Sequence, residues 1–360
     1  MTCQSIGGAA VAPILSRAQL RDEFLAASPF ADWAFEPLQA DASFRSYCRL
    51  SLEERRVLLM DSPPDKEDIA PYLKVDDYLL SIGLRAPKIL HLDAEQGFAI
   101  IEDFGLQTYT HLLNQGCDPQ PLYTLAVDAL SHLHERLPLA NIDLPRYDEG
   151  FYRDEASLFV DWYWAARTGR PPSASMREEF LQLWESLLVK VSTANECMVL
   201  RDYHVDNLIL VDEQPGRKGY GLSSCGLLDF QDALIGSRAY DLVSLLEDAR
   251  RDVDRAMARE LVEHFVRDFS PTEKAQFLYD YRVLGAHRHA KVIGIFVRLA
   301  VRDRKVHYLN YLPHVQKLFA RALQDPAMAP MADWLAKNHP GDLDQPLNFD
   351  TESLRLKLCA

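Results

Sequence analysis

The sequence predicts an α+β protein of two lobes, a small strand-rich N-lobe over residues 1–104 and a larger, mostly helical C-lobe over residues 105–360. Three observations lead there. Short apolar runs separated by turn signals fill the first hundred residues, helical periodicity fills most of the remaining chain, and one β-like cluster interrupts the helices near residues 198–229. The 360 residues are 48% hydrophobic and 26% charged, an ordinary globular balance. That excludes a mostly disordered chain, a collagenous repeat and a small disulfide scaffold.

In the N-lobe, 44–50 and 57–61 read as strands joined by a polar turn over 51–56, and Ser62-Pro63-Pro64 stops the second strand. Tyr72, Val75, Leu79 and Ile82 then recur on one helical face, and Gly83 suits the C-terminal cap. Two further short strands are expected at 88–91 and 98–102, with a turn at Gly105. In the C-lobe, Leu122, Leu125, Ala129 and Leu133 keep helical spacing, and 154–165 and 177–191 are helical. Short strands come next at 198–200, 208–211 and 226–229, with a glycine-bearing loop over 215–224. From 239 to 323 the chain reads as mostly helical. A cleft is expected between the lobes near 102–106, since ligand sites favour such interfaces.

The formal net charge is −14, so the chain has no global attraction for a phosphate backbone and nucleic acid is not expected as a partner. The six cysteines are scattered, with no metal-binding spacing, and read as reduced thiols of a cytoplasmic protein. No run of about 20 apolar residues occurs, so no membrane-spanning helix is expected. The first fifteen residues hold no Lys or Arg and are broken by Pro13, unlike a signal peptide. A monomer is expected.

The chemistry concentrates in Val199-Leu200-Arg201-Asp202-Tyr203-His204-Val205-Asp206-Asn207-Leu208 and in Leu227-Leu228-Asp229-Phe230-Gln231-Asp232. An Asp, an Asn five residues on and a second Asp 22 residues later, each beside an apolar run, form the order used in phosphoryl transfer from ATP. One carboxylate accepts the proton of the attacking hydroxyl; an amide and a second carboxylate hold Mg²⁺, a hard cation that favours such oxygens. Any one of these residues alone would read as a turn former. Their order and their flanking strands carry the inference.

On these residues the chain resembles the aminoglycoside phosphotransferase/choline kinase family, whose fold is that of the protein kinases. The family's loop reads H-x-D-x-H-x-x-N followed by a strand ending in D, matched here from Leu200 to Asn207 and by Asp229. More narrowly it resembles the bacterial cell-wall-recycling branch that phosphorylates the anomeric hydroxyl of N-acetylmuramate and N-acetylglucosamine. The matching pieces include 41–47, 60–64, 158–163, 228–232, 240–245 and 291–296. The resemblance implies that Asp202 is the catalytic base and that Asn207 and Asp229 are the Mg²⁺ ligands. It implies a hinge at Ile100-Ile101-Glu102-Asp103-Phe104, with backbone groups around Glu102 and Phe104 pairing with adenine. It places Asp41–Tyr47, with Ser43, Phe44 and Arg45, over the phosphates of ATP. The substrates implied are ATP and a small amino sugar. The chain departs from the family pattern in three places. Leu200 stands where His is usual, the phosphate loop lacks glycines, and Met60 stands where a kinase strand carries Lys. Arg45 is either a phosphate donor replacing that attraction or a solvated strand-end residue.

Other residues keep two readings. His204 either braces the loop or meets a sugar hydroxyl. Gln231 and Asp232 either read sugar hydroxyls or cap the next helix. Asp241 is expected to hold the catalytic loop rather than the substrate. Glu155, Phe159, Trp162 and Tyr163 share one helical face, which is either core or, at Trp162 and Glu155, a sugar contact. His132 and His134 read as structural. Arg288, Lys291, Arg298, Arg302 and Lys305 fall within an arc of roughly 100° on one helix. That arc is either a solvated face or, centred on Arg298, a site for a substrate carboxylate. Two rival functions stay open: an aminoglycoside or choline-type kinase, and a nucleotide-binding module without catalysis.

Overall fold

A computed structural model describes residues 15–38, 44–135, 142–193, 196–211, 220–343 and 345–359. The chain divides into two compact units, one of Met1–Leu73 with Pro87–Gly105, the other of Lys74–Ala86 with Leu106–Ala360. It has the two-lobed α+β fold that the sequence predicts.

The first unit starts with α1 (Arg17–Ala26), opened by a capping box in which the Ser16 and Gln19 side chains each bond the other's backbone N–H. Its sheet contains β1 (Ala34–Pro37), β2 (Ser46–Leu52) and β3 (Arg55–Asp61). The helix α2 (Ala70–Ser81) runs on into the second unit, and β4 (Ile89–Asp93) and β5 (Phe98–Glu102) complete the sheet. All pairings are antiparallel, in the order β1-β2-β3-β5-β4. Leu50 pairs with Val57 and Leu59 with Ile100, and these residues form one core with Phe24 and Phe98. The β2–β3 turn spans only Glu53 and Glu54, with Glu53 at φ +55°, so β2 begins two residues later than expected and runs two residues further. Neither α1 nor β1 is legible in the sequence. The strand β1 is an exposed edge ending in proline, with no alternation to read.

The second unit takes residues 74–86, which the sequence places in the N-lobe. Gly83, at φ +84°, ends α2, and the Leu84 N–H returns to the Leu79 carbonyl at 3.0 Å. Beyond that cap the Arg85 carbonyl accepts the Leu227 N–H at 2.8 Å, and His132 Nε2 lies 2.7 Å from the Ile82 carbonyl. The next helices are α3 (Tyr109–Asn114), α4 (Pro119–Glu135) and α5 (Glu149–Leu158). The latter passes through a π-helical stretch, Phe159–Trp164, into α6 (Ala165–Thr168). Then come α7 (Ala174–Leu188), β6 (Glu196–Val199), β7 (Leu208–Leu210), β8 (Cys225–Leu227) and β9 (Leu234–Ser237). The remainder is helical: α8 (Ala239–Leu246), α9 (Arg255–Phe265), α10 (Pro271–Val301), α11 (Leu312–Ala322), α12 (Ala329–Asn338) and α13 (Thr351–Leu358).

The long α10 is the spine of this unit and packs along α5, the π stretch, α8 and α11. At Gly294 it leaves no room for a side chain. A methyl group there would stand 2.3 Å from the Leu158 carbonyl carbon and oxygen and 2.7 Å from the Phe159 nitrogen. That contact lies where α5 turns into the π stretch. Packing decides what Glu155–Tyr163 present. Phe159 and Tyr163 are wholly buried in the core and Trp162 packs at its edge, while Glu155 lies in a polar network beneath the candidate site.

Candidate active site

Two short ladders bring the chemistry together. In the β7–β8 pair, Leu208 faces Leu227, and the Leu228 N–H bonds the Asn207 carbonyl at 3.0 Å. Asn207 immediately precedes β7 and Asp229 lies just past β8, so antiparallel pairing puts both at one end of the ladder. In the β6–β9 pair, Val199 faces Leu234, so β6 ends and β9 begins beside the same loops. The strand β9, which the sequence reading missed, is what closes the Asp229 turn back onto β6. Leu208, Leu227, Val199 and Leu234 are buried, which anchors both ladders beneath the polar loops.

At that end, Asn207 Nδ2 donates to the Asp202 carbonyl at 3.0 Å and reaches Asp229 Oδ2 at 3.4 Å. Gln231 Nε2 donates to Asp229 Oδ1 at 2.9 Å. The structure thus brings Asp202, Asn207, Asp229 and Gln231 into one cluster. The Asp202 and Asp229 side chains reach solvent, while Leu200, Tyr203 and Phe230 are buried around them. Leu200 occupies the place of the family's histidine as a packed apolar residue. Arg201 and Asp229 both hold positive φ, +69° and +57°, which is uncommon for residues other than glycine and clusters at functional sites.

The loop is held from below. Asp241, wholly buried at the start of α8, accepts the Leu200 N–H at 2.6 Å and the Arg201 N–H at 2.9 Å. Ser244 Oγ donates to the Arg201 carbonyl at 3.3 Å and accepts from Arg288 Nη2 at 2.6 Å. Glu155 Oε1 accepts both Arg201 Nη2 at 2.8 Å and Lys291 Nζ at 2.7 Å, and Tyr147 OH donates to Oε2. Lys291 also donates to Tyr240 OH at 3.0 Å. Burial acts to raise the Glu155 carboxyl, but Lys291, His287 and Arg201 bring it down to about 2. Partial desolvation by the protein packed around it would raise Asp202 too, but Lys291, His204, Arg288 and Arg201 outweigh it and hold its carboxyl below the ordinary carboxylate range. The basic arc is therefore only partly a solvated face: Arg288 and Lys291 are committed beneath the loop, while Arg302 is exposed and pairs with the adjacent Asp303 at 2.7 Å. Arg298 lies two turns further along α10, half-buried, with Nε lacking a partner among the described residues.

The remaining candidates take up these places. His204 is buried, with Nε2 3.3 Å from Arg250 Nη1 and 3.5 Å from Asn207 Nδ2; burial, then Arg250, lower its pKa. It sits in the packing of the loop. Asp232 is exposed. His132 and His134 belong to α4's packing, His134 edge-on against Phe265.

In the N-lobe, Ser43 lies outside the described residues, and Phe44 is exposed. Arg45 is buried, with Nε 2.6 Å from Glu67 Oε1, so it is not a solvated strand-end residue. Met60 is wholly buried under β3, where a lysine would have no water. Glu102 pairs through its backbone with Lys88, and Phe104 is half-buried. The sequence reading placed Asp103 in the hinge but did not pair it with Arg49, whose Nε lies 2.6 Å from Asp103 Oδ2 and ties β2 to the segment after β5. It also missed Arg201, Lys291 and Tyr147 as supports of the loop. The one signal was a lone lysine inside the apolar run Ala290–Ile295; spacing does not reveal its partner.

Comparison with known proteins gives the chain's family. A model of the phosphotransferase enzyme family matches residues 34–277, and the chain belongs to that family. It is similar to an N-acetylmuramate/N-acetylglucosamine kinase of Caulobacter vibrioides, 30% identical over 351 residues covering 88% of this chain and 95% of that one. It is also similar to a protein of the same name from Pseudomonas aeruginosa, 34% identical over 311 residues, covering 83% and 87%. Among solved structures, the GDP complex of aminoglycoside 2'-phosphotransferase-IIIa shares the fold. Its TM-score is 0.57 at 11% identity, over 85% of this chain and 99% of that one.

Proposed function

We propose that this protein transfers the γ-phosphoryl group of ATP to the anomeric hydroxyl of N-acetylmuramate and N-acetylglucosamine, giving the 1-phosphate, in peptidoglycan recycling. The observation that carries the reading is the cluster of Asp202, Asn207 and Asp229 in a chain whose relatives bear that substrate pair in their name.

Asp202 is the base. Its carboxyl is held ionised, so it accepts a hydrogen bond from the attacking hydroxyl and takes the proton as the new O–P bond forms and ADP departs. A carboxylate of lowered pKa is a weak base. It suffices where the transition state is loose, and an anomeric hydroxyl is more acidic than an ordinary alcohol. Asn207 and Asp229 fit a divalent cation. The asparagine amide nitrogen is already donating, which leaves its oxygen as acceptor beside a carboxylate, and both are hard donors suited to Mg²⁺. When bound, that ion neutralises charge on the phosphate oxygens. Gln231 orients Asp229. Arg298, whose Nε lacks a partner among the described residues, is proposed to meet the carboxylate that N-acetylmuramate has and N-acetylglucosamine lacks.

Phosphorus NMR of the product from ATP and N-acetylmuramate tests the reading. The expected product is a phosphate coupled to the anomeric proton, and Asp202→Asn lowers kcat by about 10²–10⁴-fold with little change in ATP binding. The net charge of −14 would also suit a cationic acceptor. Turnover of kanamycin-type amines or choline, with none of the amino sugars, would replace the proposal with that reading. ATP binding without turnover of any acceptor would leave a nucleotide-binding module.

A further inference from the structure

We infer that Glu155 is a positioning residue for the catalytic loop: its buried carboxylate fixes Arg201 in the left-handed conformation that presents Asp202. The inference rests on reading Asp202 as the base. Arg201 immediately precedes that base and sits at φ +69°, a conformation that is strained in a residue with a side chain. It persists only if the surroundings over-determine it, and here three independent contacts do so. Its N–H is bound by Asp241 and its carbonyl by Ser244, both on α8. Its guanidinium is bound by Glu155 at the end of α5.

Both oxygens of Glu155 are committed to protein donors, and little of the side chain is open to a substrate. Oε1 is shared by Arg201 and Lys291, Oε2 accepts Tyr147 OH, and the side chain is 9% exposed. Lys291, from α10, joins the carboxylate to Tyr240 on α8. The helices α5, α8 and α10 therefore meet at one carboxylate, and through it they set the backbone of one loop residue. Neutralising Glu155 leaves the Lys291 and Arg201 charges uncompensated in a buried site, and the guanidinium loses its anchor. The loop then relaxes away from the geometry in which Asp202 meets the acceptor.

The test uses the full-length protein with Glu155→Gln, Arg201→Met and the double variant. Glu155→Gln is expected to lower kcat on the order of 10–100-fold, the cost of a misplacement near 1 Å, with KM for ATP and acceptor within about threefold. Because Glu155 acts through Arg201, the double variant should be no more than about threefold worse than Arg201→Met alone. Hydrogen exchange of the Leu200 and Arg201 amides should quicken in both single variants, a readout that needs no acceptor. Should the wild type phosphorylate none of the amino sugars while this exchange quickens, the substrate proposal fails and the positioning role stands. A tenfold rise in acceptor KM at constant kcat would make Glu155 a sugar contact and overturn the inference. So would additive losses in the double variant, or unchanged exchange at Leu200 and Arg201. If Glu155→Gln does not fold, Arg201→Met, whose side chain is partly exposed, carries the kcat and exchange arms alone.

Discussion

Replacing Gly294 by alanine tests the packing that sets α10 against the loop's supports. The added methyl would lie 2.3 Å from the Leu158 carbonyl carbon and oxygen, against an ordinary contact of 3.4–4 Å. No rotamer relieves this, because the neighbour is backbone. The two helices must part by about 1 Å, and Phe159, Ile293 and Val297, all wholly buried at this level, lose part of their dispersion contact. Overpacking of this kind costs about 3 kcal/mol, which in a unit of this size lowers Tm by about 6–12 °C. The effect reaches function because Lys291 and Glu155 each lie one turn from the collision and share a 2.7 Å bond. Parting the helices lengthens that bond, and kcat should fall about tenfold or more. Urea melts give the stability change and steady-state kinetics give the rate. A variant within about 0.5 kcal/mol of the wild type with unchanged kcat would refute both the packing and its link to the loop.

Two further outcomes are expected. Glu155 has a folded pKa of about 2 against an ordinary 4.5, so it contributes stability that is full above pH 4.5 and is lost as the pH falls from 4.5 towards 2. On the order of 3 kcal/mol is involved, counted once, because the Lys291 and Arg201 shifts report the same contacts. The stability gap between wild type and Glu155→Gln in urea melts should therefore shrink from about pH 6 to about pH 3.5; a constant gap would contradict it. Arg298→Glu should lower kcat/KM for N-acetylmuramate about tenfold or more relative to N-acetylglucosamine, by loss of one charge-assisted bond. Unchanged turnover of both sugars would remove Arg298 from the site.

The amino-acid sequence by itself determined the two-lobed α+β class, the β2–β3 hairpin, the cap at Gly83 and the Asp202–Asn207–Asp229 order. These are local: each depends on a short periodicity, a turn residue or a motif whose members lie near one another in the chain. Asp241 as a support of the loop was legible too, through the resemblance to the kinase-like fold.

Only the tertiary structure decided what surrounds that motif. The exposed strand β1 and the short β9 carry no alternation of their own; β1 forms by pairing with β2, and β9 by pairing with β6, well before it in the chain. Along the Glu155–Tyr163 stripe, packing put two rings into the core and the carboxylate against Arg201 and Lys291. The basic arc of α10 reads as one face on a helical wheel, yet burial divides it, because α5 and α8 cover Arg288 and Lys291 and leave Arg302 exposed. A side chain's partner 136 residues away depends on how helices pack, and pattern along the chain carries no information about it.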